Sequence, residues 1–283
     1  MPLLIKNIIR TSIGFAAVLV FCSLFAVGAR AASLSAYIAY TQATGSFSVL
    51  GSAESDEASP DALIPGKAPG RDTQSSKKIV YLTFDDGPSQ NTDAILSILK
   101  QNHIHATFFV SGMYPQYRHL IKKAYDEGNT IGLHTETHKY DIYRSEDTYF
   151  NDLNQIAQIV KSEIGFVPAY VRFPGGSSNT VSRNYAQGIM GRLAAELNKR
   201  GYQYYDWNAD STDAAHSEAA VDALVKHATA CHDKNVVLLC HDAPGKGTTV
   251  QALQRIIDNY RSRGYTFRGI SRNSYAPHQP IAN

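Results

Sequence analysis

Short apolar runs alternate with amphipathic stretches from residue 79 almost to the end of the chain, and this alternation constrains the fold more than any other feature. In the first unit, the β-forming run 79–84 precedes a helical pattern over 92–102 with Ile95, Ile98 and Leu99 on one face. Repetition of this order predicts strands at 79–84, 106–110, 130–134, 169–172, 203–206, 235–240 and 265–267, and helices at 92–102, 117–127, 147–164, 184–199, 217–232 and 248–263. Strands separated by helices pair in parallel through right-handed crossovers. Because the chain lacks the glycine fingerprint of a dinucleotide site, these units favour an α/β fold with barrel-like closure over an open sheet.

Composition excludes several other classes of protein. Of the 283 residues, 43% are hydrophobic and 18% are charged, which is typical of a globular chain. The 27 Lys and Arg residues nearly balance the 25 Asp and Glu residues, which excludes a strongly basic nucleic-acid binder. The three cysteines form no CxxC pair and are too few for a disulfide scaffold. We expect Cys231 and Cys240 to be free thiols, although an oxidising compartment would permit a disulfide between them.

Residues 1–31 have the pattern of an export segment. Lys6 and Arg10 precede the uncharged run 11–29, which ends in the small-residue sequence Ala29-Arg30-Ala31. The run is also close to the roughly 20 residues that span a bilayer, so the segment is either a cleaved signal peptide or an N-terminal membrane anchor. In both cases it contacts the membrane at least during export. The rest of the protein is then expected to be extracytoplasmic, either secreted or anchored to the cell membrane.

The remaining chain divides by composition. Residues 32–76 are rich in Ser, Ala, Gly, Pro and acidic residues and have no apolar period, so we predict a flexible linker there. The alternating units occupy residues 77–270, which we predict to form one folded domain. A short C-terminal tail follows at 271–283.

Five polar clusters follow predicted strands, at the end where a (β/α) barrel carries its chemistry. They are TFDDGPS (83–89), HTETH (134–138), RFPGG (172–176), DWNADSTD (206–213) and LCHD (239–242). Each one alone has a structural explanation as a cap, a turn or a solvated strand end. That explanation does not account for their common position at one end of the predicted barrel. The spacing of His134 and His138, at i and i+4, suits a metal ion in particular.

In this order and at these intervals, the five clusters resemble the motifs of the polysaccharide deacetylases of carbohydrate esterase family four, which share the NodB homology domain. The resemblance covers residues 77–267, nearly all of the predicted domain. It implies a deformed (β/α)7-type barrel and a divalent metal ion. It also implies hydrolytic removal of N-acetyl groups from amino sugars of a cell-wall polysaccharide, so that 77–270 would be the catalytic domain.

The resemblance implies a metal site with three protein ligands, Asp86, His134 and His138. Such a site leaves open positions for water and for the acetamide oxygen, as a catalytic site requires. Mixed nitrogen and oxygen ligands suit Zn²⁺, with Co²⁺, Mn²⁺ and Ni²⁺ as alternatives.

The resemblance also assigns catalytic roles. Asp85 would be the general base for the water that attacks the acetamide carbonyl, and Arg172 would orient Asp85. His241 would be the general acid that protonates the leaving amine. The backbone N–H at Gly175 resembles a donor to the tetrahedral oxyanion.

The fourth cluster is expected to supply the carboxylate that pairs with His241 and raises its pKa. Asp213 is the first choice and Asp210 the second.

Two residues depart from the common pattern of the family. Gly175 stands where many members have Tyr, and Ala214 stands where many have Trp. Trp207 lies seven residues before Ala214 and is a candidate to fill its space. These departures concern the shape of the acetyl pocket and the substrate preference, and they leave the expected metal ligands, base and acid intact.

The expected activity is deacetylation of a cell-wall glycan, which is the expected substrate and partner. The expected sugar is the N-acetylglucosamine of peptidoglycan. N-acetylmuramic acid, chitooligosaccharides and non-sugar amides are alternative substrates, and a catalytically silent glycan-binding module is an alternative of another class. We expect no nucleic-acid partner and no nucleotide cofactor, and a monomeric protein.

Overall fold

The computed structural model describes residues 61–64, 75–215 and 220–283. Eight strands lie within these ranges: β1 (Ile79–Asp85), β2 (Thr107–Val110), β3 (Thr130–Leu133), β4 (Tyr170–Val171), β5 (Gln203–Tyr204), β6 (Ala209–Asp210), β7 (Asn235–His241) and β8 (Thr266–Phe267). The α-helices are α1 (Thr92–Gln101), α2 (His119–Asp126), α3 (Glu146–Ile164), α4 (Ile189–Lys199), α5 (Val221–Ala228) and α6 (Gly247–Ser262). Short 3₁₀ helices occupy Pro115–Tyr117, Tyr140–Arg144, Val181–Asn184 and Asp213–Ala215.

The strands form one sheet in the order β5-β4-β3-β2-β1-β7-β6, with β8 also paired to β1. All of these pairings are parallel. The α/β prediction is confirmed, since a parallel sheet with helices in the connections forms a half-barrel. Among the described residues no pairing joins β5 to β6, so the deformed barrel is open at that point. The sequence pattern missed β6, because a strand of two residues is too short to show a period.

The central strands are buried on both faces because helices cover one side and the barrel interior lies on the other. All seven residues of β1 are buried. The even-numbered residues Val80, Leu82 and Phe84 join the large apolar core that includes the helices. The opposite face joins a second, smaller cluster of apolar side chains: Ile79, Tyr81, Phe109, Tyr170, Tyr205, Val237 and Ile270. The period of two therefore places Thr83 and Asp85 on the same face as this second cluster.

Four residues of the predicted linker pack against the domain. Ala62 forms an antiparallel bridge with Pro168, and the Leu63 backbone N–H donates to the Val167 carbonyl at 2.8 Å. The Tyr170 hydroxyl donates to Asp61 Oδ1 at 2.9 Å. Residues 61–64 are thus part of the packed structure and not a flexible linker, while the rest of 32–74 lies outside the described residues.

The C-terminal tail also packs against the domain. The Gln279 backbone N–H donates to Asp206 Oδ2 at 2.8 Å, and the His278 ring stacks on Tyr204 with ring centroids 4.0 Å apart. At the end of the chain, the Asn283 carbonyl accepts from the Gly191 N–H at 3.1 Å.

Several helix boundaries differ from the prediction, most of all in α4 and α5. Helix α4 begins at Ile189 and not at 184, because Gly188 has a positive φ of 71° that breaks the preceding turn. Helix α5 ends at Ala228 and not at 232, so Cys231 lies beyond it. Cys231 and Cys240 are free thiols, as expected.

In the described part of the chain, no helix is both long enough and apolar enough to cross a membrane. The predicted export segment, residues 1–31, lies outside the described residues.

Two glycines with open space around the position of a Cβ atom predict opposite effects on stability. Gly165 ends α3 with φ of 90°, whereas Gly191 lies inside α4. We expect Gly165→Ala to lower the free energy of unfolding by about 1–2 kcal/mol through backbone strain. We expect Gly191→Ala to raise it by about 0.5–1 kcal/mol through helix propensity. Urea unfolding measures both, and shifts in the same direction would contradict the assigned backbone conformations.

Candidate active site

The ends of five strands, β1, β3, β4, β6 and β7, bring the predicted site residues around one cavity of about 340 Å³. Parallel register sets Asp85, the last residue of β1, directly beside His241, the last residue of β7. His134 follows β3. The cavity is lined by Asp85, Asp86, His134, His138, Tyr140, Phe173, Gly175, Trp207, Asp210, Ala214, Leu239, His241 and Lys246. A larger depression of about 470 Å³ carries no cluster of carboxylates or imidazoles, so chemistry and not size identifies the site. This larger depression is lined by Arg183, Gln187, Gly188, Ala282 and Asn283.

Asp86, His134 and His138 form a group that could hold a metal ion, with their ligand-type atoms within 4.8 Å of one another. Asp86 Oδ1 lies 3.4 Å from His134 Nε2 and 3.2 Å from His138 Nε2. This oxygen is buried and has no hydrogen-bond partner among the described residues, a state that a bound cation would relieve. Asp86 and His138 both have positive φ, 75° and 55°, and such backbone strain is concentrated at functional sites.

The His134 ring is held in the form that a metal ion requires. Its Nδ1–H donates to the Arg172 carbonyl at 2.8 Å, which leaves the Nε2 lone pair on the side of Asp86. Burial, together with the neighbouring His138 charge, lowers the pKa of His134 to about 3. The ring is therefore neutral near pH 7 and able to act as a ligand.

The loop that carries the two histidines is fixed by Asp152, a buried residue of α3. Asp152 Oδ1 accepts from the backbone N–H groups of Glu136 and Thr137 at 2.6 and 3.1 Å, and Oδ2 accepts from the Thr137 hydroxyl at 2.7 Å. No sequence motif indicated this residue. Asp152 lies far from the loop in sequence and inside a helical pattern, so its sequence position does not indicate that it supports the loop. The one available hint is that an acidic residue on the apolar face of a helix is unusual, because such residues are rarely buried.

Asp85 lies behind the predicted ligands and is paired with Arg172. Arg172 Nη1 donates to Asp85 Oδ1 at 2.8 Å, and both side chains are buried. Asp85 Oδ2 lies 3.8 Å from His134 Nε2. Burial raises the pKa of Asp85, although the charges of Arg172 and His241 oppose that shift. The side chain is thus a stronger base than an exposed aspartate, in a fixed orientation.

His241 is paired with Asp213. Its Nδ1 lies 2.7 Å from Asp213 Oδ1, and its backbone N–H donates to Asp213 Oδ2 at 2.8 Å. Burial disfavours the charged ring, but the hydrogen bond and the charge of Asp213 outweigh burial and raise the pKa of His241 to about 9. Asp210 lines the cavity without this contact, and its Oδ1 accepts from the Thr212 N–H at 2.6 Å. Of the two carboxylates considered, the structure pairs Asp213 with His241.

The Pro174-Gly175 turn forms another wall of the cavity. The Tyr143 hydroxyl donates to the Pro174 carbonyl at 2.8 Å, and Gly175 has φ of 76°. Within the described residues, the Gly175 N–H donates to no protein acceptor, which leaves it free for a bound oxygen. Trp207 lines the same cavity as Ala214, so it remains the candidate to fill the space beside that small residue.

Six of the eight predicted site residues line the cavity directly. Arg172 and Asp213 do not, and each instead contacts a residue that does. Tyr140 also lines the cavity, although no sequence motif indicated it. It lies outside the five clusters, and its proximity to Gly175 depends on a long-range contact.

Comparison with known proteins gives the family. A family model described as polysaccharide deacetylase matches residues 72–190. A peptidoglycan-N-acetylglucosamine deacetylase of Bacillus cereus is 29% identical over 216 residues, covering 74% of this chain and 76% of that protein. A putative polysaccharide deacetylase of Bacillus subtilis is 30% identical over 226 residues, covering 77% of this chain and 75% of that protein.

Similar solved structures belong to deacetylases as well. The catalytic domain of a peptidoglycan N-acetylglucosamine deacetylase from Eubacterium rectale has a TM-score of 0.73 to this chain at 37% identity, covering 76% of this chain and 99% of that one. A polysaccharide deacetylase from Bacillus cereus has a TM-score of 0.62 at 28% identity, covering 72% of this chain and 97% of that one. Together with the five clusters and their convergence on one cavity, these likenesses show that the chain belongs to the polysaccharide deacetylase family of enzymes.

Proposed function

We propose that this protein is a metal-dependent hydrolase that removes N-acetyl groups from N-acetylglucosamine of a cell-wall glycan. The observation that carries the proposal is the juxtaposition of Asp86, His134 and His138 with two paired groups, Asp85 with Arg172 and His241 with Asp213. One cavity thus holds a candidate cation site, a base and an acid. Amide hydrolysis needs these three functions together.

Asp86, His134 and His138 would hold the divalent cation, for which we propose Zn²⁺ with Co²⁺, Mn²⁺ or Ni²⁺ as alternatives. The fit rests on one carboxylate oxygen without a partner and two imidazole nitrogens beside it. The cation supplies Lewis-acid chemistry when bound.

Asp85 acts as the general base in this proposal. Its Oδ1 is held by Arg172, and its Oδ2 is directed toward His134, on the side of the candidate cation site. Asp85 Oδ2 accepts the proton of the attacking water, and the oxygen of that water bonds to the acetyl carbonyl carbon. Arg172 is a positioning residue, since it contacts the base and is itself fully buried.

His241 acts as the general acid. Asp213 orients the ring and raises its pKa, so the ring carries a proton near pH 7. The ring gives that proton to the amine nitrogen as the bond between carbon and nitrogen breaks, and the products are acetate and a free amino sugar. The Gly175 N–H donates to the carbonyl oxygen, on which negative charge develops during attack.

Peptidoglycan is the proposed polymer because the similar proteins of Bacillus cereus and Eubacterium rectale carry that substrate in their names. N-acetylmuramic acid, chitooligosaccharides and small amides are alternatives for the assay. Trp207 and Phe173 give the cavity aromatic walls against which a sugar ring can pack.

We further propose an extracytoplasmic location and a monomeric state. Lys6, Arg10 and the apolar run 11–29 support export, either as a signal peptide or as an anchor. Export would deliver the enzyme to the cell wall, where its polymer lies.

Replacement of the proposed base is expected to slow catalysis strongly. Asp85→Asn keeps the shape of the side chain but removes its proton affinity, and we expect acetate release from N-acetylglucosamine oligomers to fall by roughly 10²- to 10⁴-fold. His134→Ala is expected to be at least as damaging, because it removes a predicted ligand. The assay uses full-length protein with metal restored after chelation. Equal activity of the wild type and both variants would contradict the mechanism.

Metal content tests the ligand assignment without an activity readout. We expect about one divalent ion per wild-type chain after dialysis against metal and then metal-free buffer, and a clear loss in His138→Ala. His227→Ala, on the exposed side of α5, is the matched control and should retain the ion. Elemental analysis gives the result, and equal metal content in all three proteins would rule out His138 as a ligand.

The pH profile tests the acid. Because the pKa of His241 is raised to about 9, kcat/KM is expected to be lost as pH rises through about 9, where the ring loses its proton. Asp213→Asn removes the anion that raises this pKa, so the alkaline limb should move to lower pH. Asp210→Asn, which alters no contact of His241, should leave that limb in place. An unmoved limb in Asp213→Asn would show that another group is the acid.

A further inference from the structure

Tyr140 lies in the active-site cavity but belongs to none of the five sequence clusters. It begins the 3₁₀ helix Tyr140–Arg144, two residues after His138, and its side chain is half-buried. A Cβ atom built on Gly175 would lie 2.6 Å from Tyr140 Oη. The tyrosine hydroxyl therefore occupies the space that a side chain at position 175 would need.

The Tyr140 ring is fixed while its hydroxyl has no protein partner. The ring packs edge-on against His138 with centroids 6.5 Å apart, and it is tilted against Tyr143 with centroids 6.1 Å apart. The Tyr143 hydroxyl binds the Pro174 carbonyl, so the same aromatic group supports the turn that precedes Gly175. Among the described residues, no hydrogen bond of Tyr140 Oη is present, and a half-buried hydroxyl of this kind is available to a ligand.

The hydroxyl and the Gly175 N–H are close enough to bind one oxygen atom. A Cβ atom lies about 2.5 Å from the nitrogen of its own residue, so Tyr140 Oη is no more than about 5 Å from the Gly175 nitrogen. Two donors that each lie about 2.9 Å from a shared oxygen can be separated by this distance. Both residues line the same cavity.

We propose that Tyr140 is a catalytic residue whose hydroxyl donates to the acetyl oxygen, beside the Gly175 N–H, as negative charge develops there. This inference rests on the proposed deacetylase function. Glycine at position 175 has a matching role, because any larger residue would displace the hydroxyl. The substrate group recognised is the carbonyl oxygen of an N-acetyl group, and no bond to Tyr140 forms or breaks.

Tyr140→Phe removes the donor and keeps the ring. A donor to a developing oxyanion is commonly worth on the order of 10²-fold in kcat, so we expect a loss of that order with little change in KM. Tyr185→Phe, at an exposed position outside the cavity, is the matched control and should retain wild-type kinetics. The assay measures acetate release from N-acetylglucosamine oligomers, with Asp85→Asn in parallel.

A stability cycle tests the contact between the two residues without any activity readout. Gly175→Ala should lower the midpoint of urea unfolding, both through its positive φ and through the clash with Tyr140 Oη. In the Tyr140→Phe background the nearest atoms to the new Cβ would be 3.2 and 3.3 Å away, so the same substitution should lower the midpoint less. Identical losses in the two backgrounds would contradict the proposed arrangement.

The kinetic outcomes separate this inference from the proposed function. An active wild type with unchanged kcat in Tyr140→Phe would overturn the inference and leave the deacetylase proposal intact. A raised KM with unchanged kcat would also overturn it, because the hydroxyl would then bind the ground-state sugar and not the developing oxyanion. A metal-loaded wild type without activity on any N-acetylated glycan would overturn the proposed function, and this inference with it.

Discussion

The buried guanidinium of Arg172 is the interaction on which the site depends. It donates to Asp85 at 2.8 Å and to the Thr83 hydroxyl at 2.7 Å, and to the carbonyls of Tyr205 and Asp206 at 3.1 and 3.0 Å. Its own backbone carbonyl accepts from His134. Burial of a cation costs free energy unless its hydrogen-bond donors are satisfied. Here each of these hydrogen bonds also fixes the backbone near the end of a strand. The same residue thus orders the proposed base Asp85, one predicted ligand and the inner face of the sheet.

Much of this arrangement could be predicted from the sequence, because strand ends in a parallel sheet meet on one side. The apolar runs located β1 and β7 closely, and the common direction of the strands predicted that Asp85 and His241 lie at the same end of the barrel. Their position side by side follows from the pairing of β1 with β7, which the sequence pattern did not predict. The spacing of the two histidines indicated one shared ion. The sequence left both Asp213 and Asp210 as candidates, and the backbone path after β6 decides that Asp213 is the carboxylate that reaches the imidazole.

The remaining features depend on contacts between distant parts of the chain. Strand β6 is too short to leave a pattern, and the docking of residues 61–64 depends on Val167 and Tyr170. Asp152 supports the histidine loop from a helix whose sequence period gives no hint of that role. Tyr140 contacts Gly175 although 35 residues of sequence separate them. The absence of a side chain at position 175 matters because the Tyr140 hydroxyl occupies the space that a side chain would need. Local patterns specify which residues sit at strand ends, whereas packing decides what supports them.

The central claim is that Asp86, His134 and His138 hold one divalent cation beside Asp85. Anomalous diffraction from crystals of the protein loaded with Zn²⁺, recorded on both sides of the zinc absorption edge, tests this claim most directly. The account predicts one strong peak at about 2.0–2.2 Å from Asp86 Oδ1 and from the Nε2 atoms of both histidines, with Asp85 still bound to Arg172. A peak coordinated by Asp85 in place of Asp86, or no peak in the cavity of the loaded protein, would contradict it.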